Sequence, residues 1–407
     1  MKRILLILLC MPMIGFGQLT YVPDDNFEAY LESNNMGNGI LNDDYVTTAN
    51  IDILTTINLS GISISDLTGI EDFSALIELY CGDNQLSTID VSNNINLEKL
   101  DCSSNQLSII DVTSNINLKN LQCSYNNLSS LDVTFNPLLI FLFAAHNQIL
   151  AIDVSNNPNL VNITIPFNLF SYIDVSANSN LSFFDCKNNQ ITSLDVSNNA
   201  NLTALYCNHN LLTVLDVTSN TLLESLWCDD NQISNLDVTN NTAIKNLMID
   251  NNDLTSIDVS ANFLLELFFC QRNDLTSLDL SGNVMLQTIW CFDNNLTSLD
   301  IRNNNNQNIG TTSWDFKITG NNNLYCVDVD NPGWSTMNWT VSNDCIDSWN
   351  TFSSNCGNTS DLPEFFGSNK KLLGVTDLLG RYTKGKKNDL LFYIYNDGTV
   401  EKRIIVE

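Results

Sequence analysis

The sequence predicts a repeat solenoid: mainly parallel β-structure, few helices, and a small C-terminal β tail. Three observations carry that prediction. Aspartate recurs without a miss every 21 residues from Asp90 to Asp300. Asparagine keeps the same step from Asn84 to Asn294. Eight cysteines (Cys81, Cys102, Cys123, Cys186, Cys207, Cys228, Cys270 and Cys291) share a third register, in which Ala144, Ile165 and Ile249 fill the remaining places. A fixed period of about 20 to 50 residues marks stacked coils, each touching only its neighbours.

The first segment, residues 1–17, reads as a secretory signal. Lys2 and Arg3 supply the charged region, Ile4 to Phe16 the apolar one, and Gly15-Phe16-Gly17 a small-residue cleavage site. The apolar run is too short for a membrane span. Cys10 follows the bulky Leu9, which argues against lipidation. No later segment is long and apolar enough to act as a transmembrane anchor.

Residues 18–50 are expected to cap the first coil. A helix is predicted from Val22 to Met36, with Pro23 at its start, Asp24 and Asp25 at its positive end, and Phe27, Tyr30 and Leu31 as an apolar stripe. Residues 51–302 are then expected to form the solenoid. An irregular first coil has a strand at Ile57 to Leu59 and a short helical return through Leu67, Ile70, Phe73 and Leu76.

From Leu76 the units are regular. One runs Leu97, Leu100, Cys102, Asn105, Leu107, then Ile110, Asp111, Val112, Thr113, Asn115. A place that accepts Cys, Ala or Ile is a buried small-apolar slot, which a free thiol fills well. Metal sites made of cysteine want CxxC or Cys/His clusters, and none occurs.

The LxxLxCxxNxL half-unit resembles the leucine-rich repeat, and LxxIDVTxN nearly repeats it within each 21-residue period, as in the bacterial subclass in which both halves carry a strand pattern, so a second strand is implied at IDV. The resemblance implies that the LxC segment is a strand of one parallel sheet, with leucines pointing in. It further implies that the asparagine turns inward and bonds to backbone groups of the turn, coil after coil. With strands about 4.8 Å apart, eleven coils span roughly 50 Å.

Residues 303–361 are expected to be a second cap. The period fails after Arg302, and Trp314, Phe316 and Ile318 suggest a closing strand. Cys326, Cys345 and Cys356 lie outside the repeat register; in a secreted protein they suit a disulfide, with Cys326–Cys356 the favoured pairing. Residues 362–407 turn basic in a chain of net charge −29. Leu391 to Glu407 reads as a β-hairpin with its turn at Asn396-Asp397-Gly398. This tail resembles the C-terminal sorting domain of cargo for the type IX secretion system of Bacteroidetes. That resemblance implies export through type IX machinery, removal of the tail, and a secreted or outer-cell-surface location.

The acidity argues against nucleic acid and anionic lipid as partners, both of which need a cationic surface. Function is expected on the outward positions of the LxC strands. Phe143, Tyr206, Trp227, Phe269 and Trp290 stand in one such column, flanked by His209, Asp229, Asp230, Asp250, Arg272 and Asp293. Exposed aromatic runs supply binding energy, and with acids beside them suit an extracellular protein or a carbohydrate. A structural surface protein without a discrete ligand is the alternative. A hydrolase needs a pocket around His209, for which nothing singles out a nucleophile. His146 and His209 occupy equivalent places three coils apart, about 14 Å, too far to share an ion. No cofactor or metal is expected. Calcium is the rival occupant of the Asp column, whose carboxylates repel their neighbours by roughly 0.8 kcal/mol each in water. The Ser/Thr column two residues on (Ser92, Thr113, Thr134 and onward) offers hydroxyl donors instead, and the turns are Asn-rich rather than glycine-rich.

Overall fold

The structure is a computed structural model that describes residues 18–357, 372–376, 390–395 and 400–404. The proposed signal sequence with Cys10, most of the basic residues of the tail, and the turn at Asn396-Asp397-Gly398 lie outside the described residues.

The architecture is a parallel β-solenoid. Thirteen strands form one sheet, ordered from Thr56–Asn58 at one end, through Glu78–Tyr80 and its successors, to Thr288–Trp290 and Phe316–Lys317 at the other. Pairing is in register along the repeat, so that Leu205 stands beside Leu226 and Tyr206 beside Trp227. Each regular strand is only three residues long, because a single buried leucine or its equivalent flanked by two outward residues is all that one coil contributes to the face.

The core is a stack of columns. The strand leucines, the valines that follow the aspartates and the eight in-register cysteines are buried, and all eight cysteines are free. Burial pushes these thiols up, Cys123 and Cys291 to about 12. They are inert core methyl-sized groups, as the Cys/Ala/Ile exchange predicts.

The Asn84-to-Asn294 column satisfies the turns in full. Asn210 Nδ2 donates to the carbonyls of Cys186 and Cys207 at 3.1 and 3.0 Å, and its Oδ1 accepts from Ile191 N–H at 2.9 Å. A second asparagine ladder, from Asn94 to Asn283, is completely buried at the opposite corner. Asn199 Nδ2 donates to Val175 and Asn178 carbonyls at 3.0 and 2.9 Å, while its Oδ1 has no partner among the described residues.

Two expectations need correction. The helix runs Asp25–Ser33, shorter than residues 22–36, because Asp24 is its N-cap and accepts from Asn26 and Phe27 N–H; Pro23 precedes the helix. The IDV segments of most coils are not a second strand. Their aspartates accept from the N–H two residues on, as Asp216 does from Thr218 N at 2.9 Å and Oγ1 at 2.7 Å. The same local bond is kept in the coils that do pair, at Asp279 and Asp300. Only at the C-terminal end do Ser277–Asp279 and Ser298–Asp300 pair as strands, with one isolated bridge between Asp195 and Asp216. Hydrogen bonds from the hydroxyl and N–H two residues on hold the Asp174 and Asp216 carboxyls below their usual range, which offsets repulsion from their neighbours in the column.

Both ends of the stack are covered. Phe27 and Leu31 of the first helix are buried, with Phe27 stacked near Phe73 at 6.1 Å. At the other end Trp339 is buried against Phe316, ring centroids 4.0 Å apart, and donates from Nε1 to Gly310 O. Cys326 and Cys356 are joined by a disulfide, and Cys345 is free and buried. In the tail, Leu390–Tyr395 pairs antiparallel with Val400–Ile404, and a third strand, Leu372–Thr376, which the sequence did not announce, pairs on its other side.

Candidate functional site: the outward face of the parallel sheet

Strand geometry places alternate residues on the outer face and brings residues 21 apart into contact. Tyr206 and Trp227 stack with centroids 4.3 Å apart and planes 26° apart. Phe269 and Trp290 do the same at 4.4 Å and 15°. Met248 separates the two pairs, so the aromatic run is two platforms rather than one. All five residues are half-buried: each ring covers its neighbour and offers its remaining surface to solvent. Offset stacks of this kind contribute about 0.5–1.5 kcal/mol beyond area burial.

Tyr206, Trp227 and Met248, with Ala204, Ser225, Asn246 and Glu224, line an open depression of about 460 Å³. Trp227 Nε1 is buried without a partner among the described residues. Trp290 is anchored from outside the repeats, its Nε1 donating to Trp314 O at 3.1 Å. Phe143 packs parallel to Phe141 at 6.5 Å, several coils from the two platforms.

The flanking charged residues divide into two columns. His209, Asp230, Arg272 and Asp293 belong to a turn column that holds a positive φ of 50–54°. His209 Nδ1 lies 3.3 Å from Asp230 Oδ2, and Arg272 reaches Asp293 at 3.9 Å and the Phe292 ring at 5.7 Å. Asp229 and Asp250 stand one residue earlier, partly buried next to one another. Burial pushes Asp229 up to about 6, and burial followed by the charge of Asp229 pushes Asp250 up to about 7. Asp185, in the aromatic column and expected to face out, is only 5 % exposed; it folds down onto Lys187 at 3.2 Å, and its burial raises its carboxyl.

The positive-φ column holds a feature the outward strand positions did not reveal. Tyr125, His146 and Phe167 stack as three rings with centroids 4.2 Å apart at both steps. The left-handed backbone is unusual for bulky side chains; here it turns the three rings onto one rim of the sheet. Their 21-residue spacing was visible, but the register lies in the turn. Trp314, 76 % exposed beside Trp290, was likewise assigned only to the closing cap. The depression beside Trp227 does not include His209 among its lining residues.

No family profile matches the chain, and no curated protein matches it by sequence. Solved structures do. The functional domain of InlJ from Listeria monocytogenes, which includes a cysteine ladder, is 31% identical with a TM-score of 0.64, covering 77% of this chain and 76% of that one. The internalin InlF of the same species is 20% identical with a TM-score of 0.58, covering 76% and 96%. A plant peptide hormone receptor, RGFR1 in complex with RGF2, is 20% identical with a TM-score of 0.53, covering 67% and 55%. The last two likenesses concern the fold. Among the described residues no helix is long and apolar enough to cross a membrane.

Proposed function

Because the chain belongs to the leucine-rich repeat proteins, we propose that it is an extracellular recognition protein that binds a protein or glycan through the outward sheet face from Tyr206 to Trp290. The observation that carries this is the pair of half-buried aromatic platforms, the Tyr206–Trp227 one lining an open depression with polar neighbours. Such a surface offers preorganised ring area at low entropic cost. The plant receptor of the same fold, in complex with RGF2, supplies a precedent for ligand binding on this scaffold.

The test is a glycan array and a pull-down with residues 18–361, followed by the triple variant Trp227→Ala, Phe269→Ala, Trp290→Ala. Loss of at least tenfold in affinity for the captured ligand is expected. Unchanged affinity in a variant with the parent's circular dichroism rejects this face.

The residues before 18 and after 361 are proposed to be addresses rather than parts of the binding unit, the first read by the general secretory route and the tail by type IX machinery. Deleting residues 363–407 is expected to strand the protein in the periplasm. Normal appearance of the truncated chain outside the cell rejects the sorting role.

A further inference from the structure

A cluster on the rim of the sheet is unexplained by ligand stacking. His209, Asp229 and Asp230 each offer a donor atom, and the three atoms lie within 4.8 Å of one another. The repeat forces this: His209 and Asp230 are one period apart in the positive-φ column, and His209 N–H donates to Asp229 O at 3.0 Å, locking the two turns together.

The polar accounting at this spot does not close with protein groups. Asp230 Oδ2 faces His209 Nδ1 at 3.3 Å, and its Oδ1 accepts from Asn251 Nδ2. Asp229 Oδ2 accepts from Asn208 Nδ2 at 3.3 Å, but Asp229 Oδ1 is buried without a partner among the described residues. Asn208 is only 7 % exposed, has its amide head against Asp229, and its own Oδ1 is also unpartnered. Rotation of that amide by half a turn presents its oxygen to the cluster instead of its nitrogen. A buried carboxylate oxygen that faces no donor costs more than the neutral amide oxygens of the second ladder do, and points to a water or an ion.

We propose that His209 Nδ1, Asp229 and Asp230 bind a divalent cation of the zinc class, with Asn208 supplying a fourth oxygen. One imidazole nitrogen, two carboxylates and one neutral oxygen make a four-donor set of the kind zinc accepts. Donors at about 2.1 Å from a tetrahedral ion stand roughly 3.4 Å from each other, which is the spacing His209 and Asp230 already keep. Calcium prefers six to eight oxygens and has no use for the imidazole. Asn251, bonded to Asp230, is the outer partner that fixes its carboxylate. The ion bridges two successive coils at the edge of the sheet. This site stands independently of the aromatic platforms.

The experiment is titration calorimetry of the purified, chelator-treated full chain with zinc chloride. One equivalent bound at micromolar or tighter affinity is expected, not displaced by millimolar calcium or magnesium. His209→Asn suits the left-handed backbone at that position and is expected to weaken binding at least tenfold, as is Asp230→Asn. Asp195→Asn, in the exposed Asp column, is expected to leave it unchanged. Circular dichroism and thermal melting confirm that the variants fold. No saturable zinc binding, or parental affinity in folded His209→Asn and Asp230→Asn, overturns the site. Several equivalents insensitive to His209→Asn but reduced by Asp195→Asn overturn it too, because the ion then sits on the Asp column.

Discussion

At the scale of single residues, Asp24 shows how one carboxylate joins two parts of the chain. Its Oδ1 caps the first helix, and its Oδ2 accepts from Ser65 N–H and Oγ and from Asp66 N–H in the first coil. Burial pushes its carboxyl up, but the hydrogen bonds from Ser65, Phe27 and Asp66 outweigh that and hold it below its usual value of 3.8. Replacing Asp24 by Ala is expected to cost about 2–3 kcal/mol at pH 7, measured by urea denaturation, if the end cap melts together with the stack. A carboxylate with a depressed folded pKa contributes fully above its unfolded value and loses the contribution as pH falls through the folded one. The gap between parent and Asp24→Ala should therefore be constant above about pH 5 and narrow below pH 4. A gap that widens in acid contradicts the assignment. Asp24 was legible as a favourable N-terminal charge; its hold on Ser65, 41 residues away, was not, because only the fold brings them together.

At the scale of the repeating element, two asparagine ladders make different demands. Asn210 holds the N–H of Ile191, which has no other acceptor in this turn, whereas the carbonyls that Asn199 serves keep a backbone donor each, Asn178 N to Val175 O and Leu181 N to Asn178 O. Asn210→Ala is expected to cost about 2–4 kcal/mol and Asn199→Ala roughly 1 kcal/mol, since the first strands a buried N–H and the second also removes an orphan acceptor. Equal losses in denaturation midpoint would contradict this ordering. The aspartate column, tied to its own turn amides and hydroxyls, should not need an ion: calcium chloride is expected to leave the melting temperature within about 1 °C, and a rise of several degrees restores calcium as its occupant. The leucine, cysteine and first asparagine columns were legible because burial and period coincide there. The second ladder kept the same period, yet Asn115 reads as one more polar turn residue until the turn is seen to be buried. The strand expected at each IDV forms only in the last two coils, although the aspartate bonds to the N–H two residues on in those coils as well, so the aspartate turn alone does not decide it. On the candidate face, Tyr206, Trp227, Phe269 and Trp290 followed from alternation alone. Asp185 and the Tyr125–His146–Phe167 stack did not, since the first depends on the reach of Lys187 and the second on a left-handed turn.

At the scale of the whole molecule, the uninterrupted period means that every regular joint between coils is the same joint. Removing residues 148–168, one period, rejoins Asn147 to Leu169 in register. The shortened chain is expected to fold and to melt within a few degrees of the parent, and a loss of the cooperative transition in calorimetry would show that the coils are not interchangeable. Unequal crossing-over between tandem copies of the gene segment makes the same edit, and slippage in the other direction adds a coil. Heredity can thus treat the length of this protein as a dial: it can move the two capped ends farther apart or nearer together without inventing a residue. The fixed step also sets the grain of that dial, because a change of any other length would rotate every side chain beyond it off its partner.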